Sequence, residues 1–97
     1  MLTLPIKKKW FDMIKSGEKK EEYREIKPYY DSRFNIYSPF ESDFRYVVFR
    51  NGYRKDSPTI KCFCYISKGR GKQKWGAEPN KEYYVLKILS VKEVQEW

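Results

Sequence analysis

Residues 59–67 constrain this chain more than any other stretch. Ile60, Cys62, Cys64 and Ile66 share one parity, and Lys61, Phe63, Tyr65 and Ser67 take the other. That is the period-two pattern of a strand with one buried and one outward face. Such a strand needs neighbours, and a core to cover its apolar side. Residues 44–50, which precede the turn signal Asn51-Gly52, and residues 82–91 both read as strands that can pair with it. Residues 2–4, ended by Pro5, read as a short first strand, and residues 19–26, ended before Pro28, as another. Asp56-Ser57-Pro58 and Pro79 mark breaks between these runs. Short strands at even spacing predict an α+β, mainly β fold: a small barrel of five to six strands with one N-terminal helix and short helical turns.

The helix falls on residues 7–16. Trp10, Met13 and Ile14, with Phe11 beside them, recur at helical spacing; Pro5 suits the start and Gly17 a left-handed stop. Lys7, Lys8 and Lys9 place three cations where they oppose the helix dipole. A bound anion at that end would offset them. Residues 29–40 show no period and read as a long connection with one helical turn. Their rings Tyr29, Tyr30, Phe34, Tyr37 and Phe40 can cover a barrel end, and Tyr29, Tyr30 and Tyr37 can alternatively stack on a base. Trp10, Ile14, Val48, Cys62, Cys64, Val85 and Ile88 are the expected core.

A chain of 97 residues makes one domain, 1–97, with little surface to bury; its nine Tyr, six Phe and three Trp make the core economical. Lysine and arginine number 21 against 13 carboxylates, a formal charge of +8. That surplus favours an anionic partner, nucleic acid first and an acidic membrane surface second. No run is long enough to span a membrane and no signal peptide is visible, so the expected location is cytoplasmic. Cys62 and Cys64 would lie roughly 6.6–6.8 Å apart on a strand, near the upper limit for a disulfide, and are expected to be buried reduced thiols.

Several chemistries are excluded. Without histidine there is no Ser-His or Cys-His nucleophile pair, and two cysteines alone do not close a zinc site. No metal and no cofactor are expected. Gly69-Arg70-Gly71-Lys72 has the wrong spacing for a phosphate loop.

The stretch 17–24, Gly-Glu-Lys-Lys-Glu-Glu-Tyr-Arg, mixes charges of both signs directly after the helix stop. Glu22 and Arg24 share parity and project from one strand face. Lys19, just after the turn, need not obey that alternation. Glu22 can pair with either cation, and a guanidinium held in this way presents planar donors to a phosphate or a base edge. A second group is the stretch 68–81, which opens with Lys68, Arg70, Lys72 and Lys74 among three glycines and Trp75. It reads as a flexible basic loop for phosphates, with Trp75 either stacking on a base or packing into the barrel mouth. Lys7 and Lys8 of the helix start complete the nucleic-acid-binding set.

Written G-x-K-x-x-E-x-R, the positions Gly17, Lys19, Glu22 and Arg24 resemble the signature of the ASCH domain (activating-signal-cointegrator homology), a family of PUA-like β-barrels. The likeness extends to the opening Leu2-Thr3-Leu4-Pro5-Ile6, to Val47-Val48-Phe49-Arg50-Asn51-Gly52 and to Tyr83-Tyr84-Val85-Leu86-Lys87-Ile88. The resemblance implies RNA binding, with a single-stranded or loop segment, or a nucleotide, held in a cleft between the first helix and the barrel. Some small ASCH proteins are amidohydrolases acting on N4-acetylcytidine, which offers a hydrolase as the alternative, on a modified nucleoside or on RNA. There the signature Lys, here Lys19, activates a Thr three positions later. This chain carries Glu22 at that place, so a Glu22 base acting on water beside Lys19 replaces the Thr mechanism. The distant carboxylate would be Glu78 or Glu82. A coactivator-type protein-interaction domain is the third class.

Overall fold

In the structure, a computed structural model that describes residues 1–36 and 43–96, β4 (Thr59–Arg70) is the middle strand of the sheet. Its parity is as read: Ile60, Cys62, Cys64 and Ile66 are buried and their odd-numbered neighbours half-buried. It runs antiparallel to β3 (Phe44–Asn51) on one side and to β5 (Glu82–Gln95) on the other. β1 (Leu2–Ile6) joins β3 in parallel and β2 (Glu21–Glu25) joins β5 antiparallel, giving the order β1-β3-β4-β5-β2. Register places Val47 opposite Cys62, Phe49 opposite Ile60 and Leu86 opposite Ile66, so one face of the curled, half-barrel sheet is continuously apolar. Opposite Lys61/Cys62 and Phe63/Cys64 the register shifts, β5 carrying the extra residues Lys92 and Leu89, which bends β5 against β4 and adds local twist.

The concave face is closed by α1 (Lys8–Ser16), which buries Phe11 and Ile14. Gly17 ends it at φ 86°, its N–H donating to the Ile14 carbonyl, the left-handed stop that glycine adopts without a Cβ penalty. No acidic side chain occupies the first turn and Lys7 provides no side-chain cap.

Three local expectations are corrected. Pro5 does not end β1, because its carbonyl, and with it the missing N–H, faces the open side of an edge strand, where proline is tolerated. Residues 29–40 are not merely an irregular connection: Pro28–Phe34 form a second helix, α2. Pro28 sits at its start, Asp31 in its first turn, and Asn35 closes it at φ 44° with its N–H on the Asp31 carbonyl. Two turns offer only Tyr30 and Phe34 as an i, i+4 pair, too short a run for periodicity to show. Tyr37 and Phe40, expected at the barrel end, lie outside the described residues. The last strand also runs on to Gln95, where its end pairs with Thr59 and Ile60.

Of the expected core, Ile14, Cys62, Cys64 and Val85 are buried, whereas Trp10 and Ile88 are half-buried. Val48 is half-buried because Val47 and Phe49 take the core parity, leaving it on the outer face. Among the described residues no helix is long and apolar enough to cross a membrane.

Cys62 and Cys64 are free, and burial pushes both thiols up to about 12. The thiolate is the reactive species. Native protein at neutral pH is therefore expected to resist a thiol-specific disulfide reagent, and both cysteines to react in denaturant. Rapid labelling of either in the native state would contradict this burial.

Candidate functional site

Lys19, Glu22 and Arg24 converge. The chain leaves Gly17 with the Lys19 N–H donating to the Met13 carbonyl at 2.9 Å, and this turn aims the Lys19 side chain inward. Glu22 and Arg24, two residues apart on β2, face the same side with their register partners Leu86 and Tyr84. Glu22 then bridges two cations: its Oε1 lies 3.4 Å from Lys19 Nζ and its Oε2 accepts from Arg24 Nη2 at 2.8 Å. Lys19 is encased, its side chain 0 % exposed. Its ammonium donates to the Trp75 carbonyl at 2.6 Å and sits 4.7 Å from the Trp10 ring centre and 5.0 Å from that of Tyr23. Burial lowers its pKa below the ordinary lysine value, although the charge and hydrogen bond of Glu22 work the other way.

Arg24 has a second task. Among the described residues no ladder joins the sheet edges β1 and β2. The guanidinium spans that seam: Nη2 donates to the Pro5 carbonyl of β1 at 2.7 Å, and Nη1 to the Tyr30 hydroxyl of α2 at 3.2 Å. Its Nε is buried without a hydrogen-bond partner among the described residues. One side chain thus links β2, β1 and α2.

Beside this junction opens a cavity of about 640 Å³, between the start of α1, β2 and the β3–β4 turn. Lys7, just before α1, and Lys8 and Trp10 of α1 line it; so do Glu22, Tyr23 and Arg24 from β2, Tyr30 from α2, and Tyr53 from the turn. Trp75, Glu78, Lys81 and Tyr83 form its far wall. Of the residues singled out in the sequence, Lys7, Lys8, Glu22, Arg24 and Trp75 therefore meet at the cavity. Lys19 is not among its lining; it lies behind Glu22 and fixes it.

The remaining basic residues stand elsewhere. Lys68 and Arg70 belong to β4, opposite Tyr84 and Glu82, so the expected flexible loop begins as a paired strand. Gly71 comes next, packed so closely that a Cβ would lie 2.6 Å from both the Ala77 methyl and the Tyr23 ring. The Lys72 N–H donates to the Tyr23 hydroxyl at 2.9 Å, and a 3₁₀ turn over Gln73–Trp75 ends at Gly76 with φ 101°. This segment is held by that hydrogen bond and by the close packing at Gly71. Trp75 is 5 % exposed, with Lys72 and Lys74 ammonium groups 4.8 and 4.6 Å from its ring centre. Packing into the barrel mouth is its structural role. Tyr53, Lys81 and Tyr83 went unnoticed in the sequence as cavity residues; only the exposed turn carrying Tyr53 had a local signal.

Chemically, both Glu22 oxygens are engaged by cations and the Lys19 ammonium does not reach the cavity. Of the two candidate distant carboxylates, Glu78 lines the cavity and Glu82 does not. The arrangement presents fixed donors and aromatic surface rather than an unengaged base. Among the described residues, no group of His, Cys, Asp or Glu side chains is placed to hold a metal ion. Comparison with protein-family models, curated proteins and solved structures finds no match to this chain.

Proposed function

We propose that the chain binds single-stranded RNA, or a nucleotide from it, in the cleft between α1 and the sheet. One observation carries this reading: a cavity of about 640 Å³ that combines the Glu22-oriented Arg24 guanidinium, further cations, and the rings of Tyr30, Tyr53 and Tyr83. That volume lies in the range of small-ligand sites. An oriented guanidinium suits a phosphate or a base edge, and π-faces accept any base. Lys7 and Lys8 add charge at the start of a helix, where free N–H groups attract anions. The formal charge of +8 favours approach of a polyanion, and the resemblance of residues 17–24 to the ASCH signature supports RNA in particular.

The test is titration with nucleoside monophosphates and with short RNA and DNA strands, read by amide spectra and anisotropy. Engagement of about four phosphates gives a log–log salt slope near −3, at about 0.7 per contact for a single strand. Arg24→Lys keeps a charge opposite Glu22 and hence the fold, yet loses planar donors. It is expected to weaken monophosphate binding about tenfold, as for loss of a charge-assisted hydrogen bond. If RNA, DNA and nucleotides all leave the Tyr23, Arg24 and Gly76 amide signals unmoved at low salt, the reading is wrong.

A further inference from the structure

The outer face of the sheet carries a feature that neither the core nor the cleft uses. Because Val47 and Phe49 point inward, Phe44, Tyr46, Val48 and Arg50 point outward from β3, beside Lys61, Phe63 and Tyr65 of β4. Register sets Phe44 opposite Tyr65, Tyr46 opposite Phe63 and Val48 opposite Lys61. Four rings form a block, with centroids 4.8 Å apart for Phe44–Tyr65, 5.0 Å for Tyr46–Phe63 and 6.1 Å for Phe44–Phe63. Phe44 and Tyr46 remain 51 % and 45 % exposed. Folding does not require that exposure, since the core rings Phe11, Phe34, Phe49 and Tyr84 are buried.

Cations border the block. Lys61 Nζ stands 5.0 Å from the Tyr46 ring centre. Beyond it, Lys61 lines a recess of about 250 Å³ together with Val48, Arg50, Lys55, Thr59 and Glu93. Three of those groups are cationic and one is a carboxylate.

We propose that this face is a second nucleic-acid surface, on which bases of a single strand stack on Tyr46 and its neighbouring rings while a phosphate occupies the Arg50–Lys55–Lys61 recess. Exposed rings on a sheet, interleaved with cations, hold single-stranded bases without reading their sequence. The alternative occupant, a second copy docked face to face, would bring this cationic border against another like it, a repulsive arrangement. The surface shares no residue with the cleft. Yet the β3–β4 connection serves both: Gly52 and Tyr53 line the cleft, and Lys55 the recess.

The experiment measures anisotropy of labelled twelve-nucleotide oligo-U and oligo-dT at low salt, alongside sedimentation of the protein alone. The double variant Phe44→Ser, Tyr46→Ser is expected to weaken both oligonucleotides by about tenfold or more, the usual loss on removing a stacking ring. It leaves mononucleotide binding in the cleft unchanged, whereas Arg24→Lys weakens mononucleotide binding. Tyr46→Phe, which keeps the ring, retains affinity. Lys55→Ala lowers the salt slope by about 0.7, and these two variants decide the matter should the double variant lose its fold. Wild-type oligonucleotide affinity in the double variant overturns the proposal. So does a wild-type dimer that the double variant dissociates without weakening oligonucleotide binding.

Discussion

Glu22→Ala is expected to cost about 3–5 kcal/mol, the largest loss of any single change at the site. The carboxylate is 8 % exposed and is the shared counter-charge of Lys19, at 3.4 Å, and Arg24, at 2.8 Å. Removing it leaves two cations side by side, one fully enclosed and one 13 % exposed. A domain of this size holds only about 5–15 kcal/mol in total, so much of the variant is expected to be unfolded near body temperature. Lys19→Met is the control. It keeps the Glu22–Arg24 pair and leaves no unpaired charge, losing the hydrogen bond to the Trp75 carbonyl, so it is expected to cost less, about 1–3 kcal/mol. The pH dependence separates the electrostatic cause from lost packing. In the native fold Lys19 titrates below the ordinary 10.5, so between its folded value and 10.5 the unfolded chain holds more protons. Stability contributed by this group therefore rises with pH across that window. Glu22→Ala removes the charge and hydrogen bond that raise Lys19, which widens the window downward. The deficit of the variant is thus expected to shrink between about pH 7 and pH 10. Urea melts at both pH values measure it. A pH-independent deficit below about 1 kcal/mol would show that the triad is not the counter-charged cluster described.

Phe34→Ala is expected to cost about 3–5 kcal/mol as well, through a cavity rather than a charge. Phe34 is 0 % exposed and ties α2 to the sheet. Its ring stacks on Tyr30 with centroids 5.5 Å apart and meets the Tyr84 ring edge-on at 4.8 Å. At about 4–8 °C per kcal/mol for a domain this size, the melting temperature falls by roughly 12 °C or more. A second effect accompanies it. α2 carries Tyr30, whose hydroxyl accepts from Arg24, and Asp31, which accepts from the Tyr84 hydroxyl at 2.6 Å. Loosening the helix therefore also weakens ligand binding at the cleft. Tyr29, on the same helix but 51 % exposed, provides the comparison. Tyr29→Ala is expected to stay within about 0.5 kcal/mol of the native protein. Equal melting temperatures for the two variants would mean that α2 does not dock through Phe34.

How much of this could be read beforehand depended on how local each feature was. The parity of β4, the left-handed stop at Gly17 and the shared face of Glu22 and Arg24 all follow from spacing within a few residues. The α2 helix did not show because its buried contact is essentially one side chain, Phe34, against partners distant in the chain. The stretch 68–74 departs from its loop-like pattern for a related reason. Glycines and like charges resemble a flexible loop until β5 pairs with residues 68–70 and Tyr23 closes over Gly71.

By itself the sequence determined a mainly β fold, a helix before β2, an excess of positive charge, and a mixed-charge strand able to orient an arginine. Those are consequences of periodicity, capping and composition, which act along the chain. Tertiary structure alone decided that Lys19 lies behind the cavity while Arg24 stands in it. It also decided that Arg24 bridges the open edges β1 and β2, and that Trp75 is packed while Tyr46 is exposed. Each of these turns on which side chain loses water when segments dozens of residues apart meet. Desolvation is a property of the assembled surface, and no local pattern encodes it.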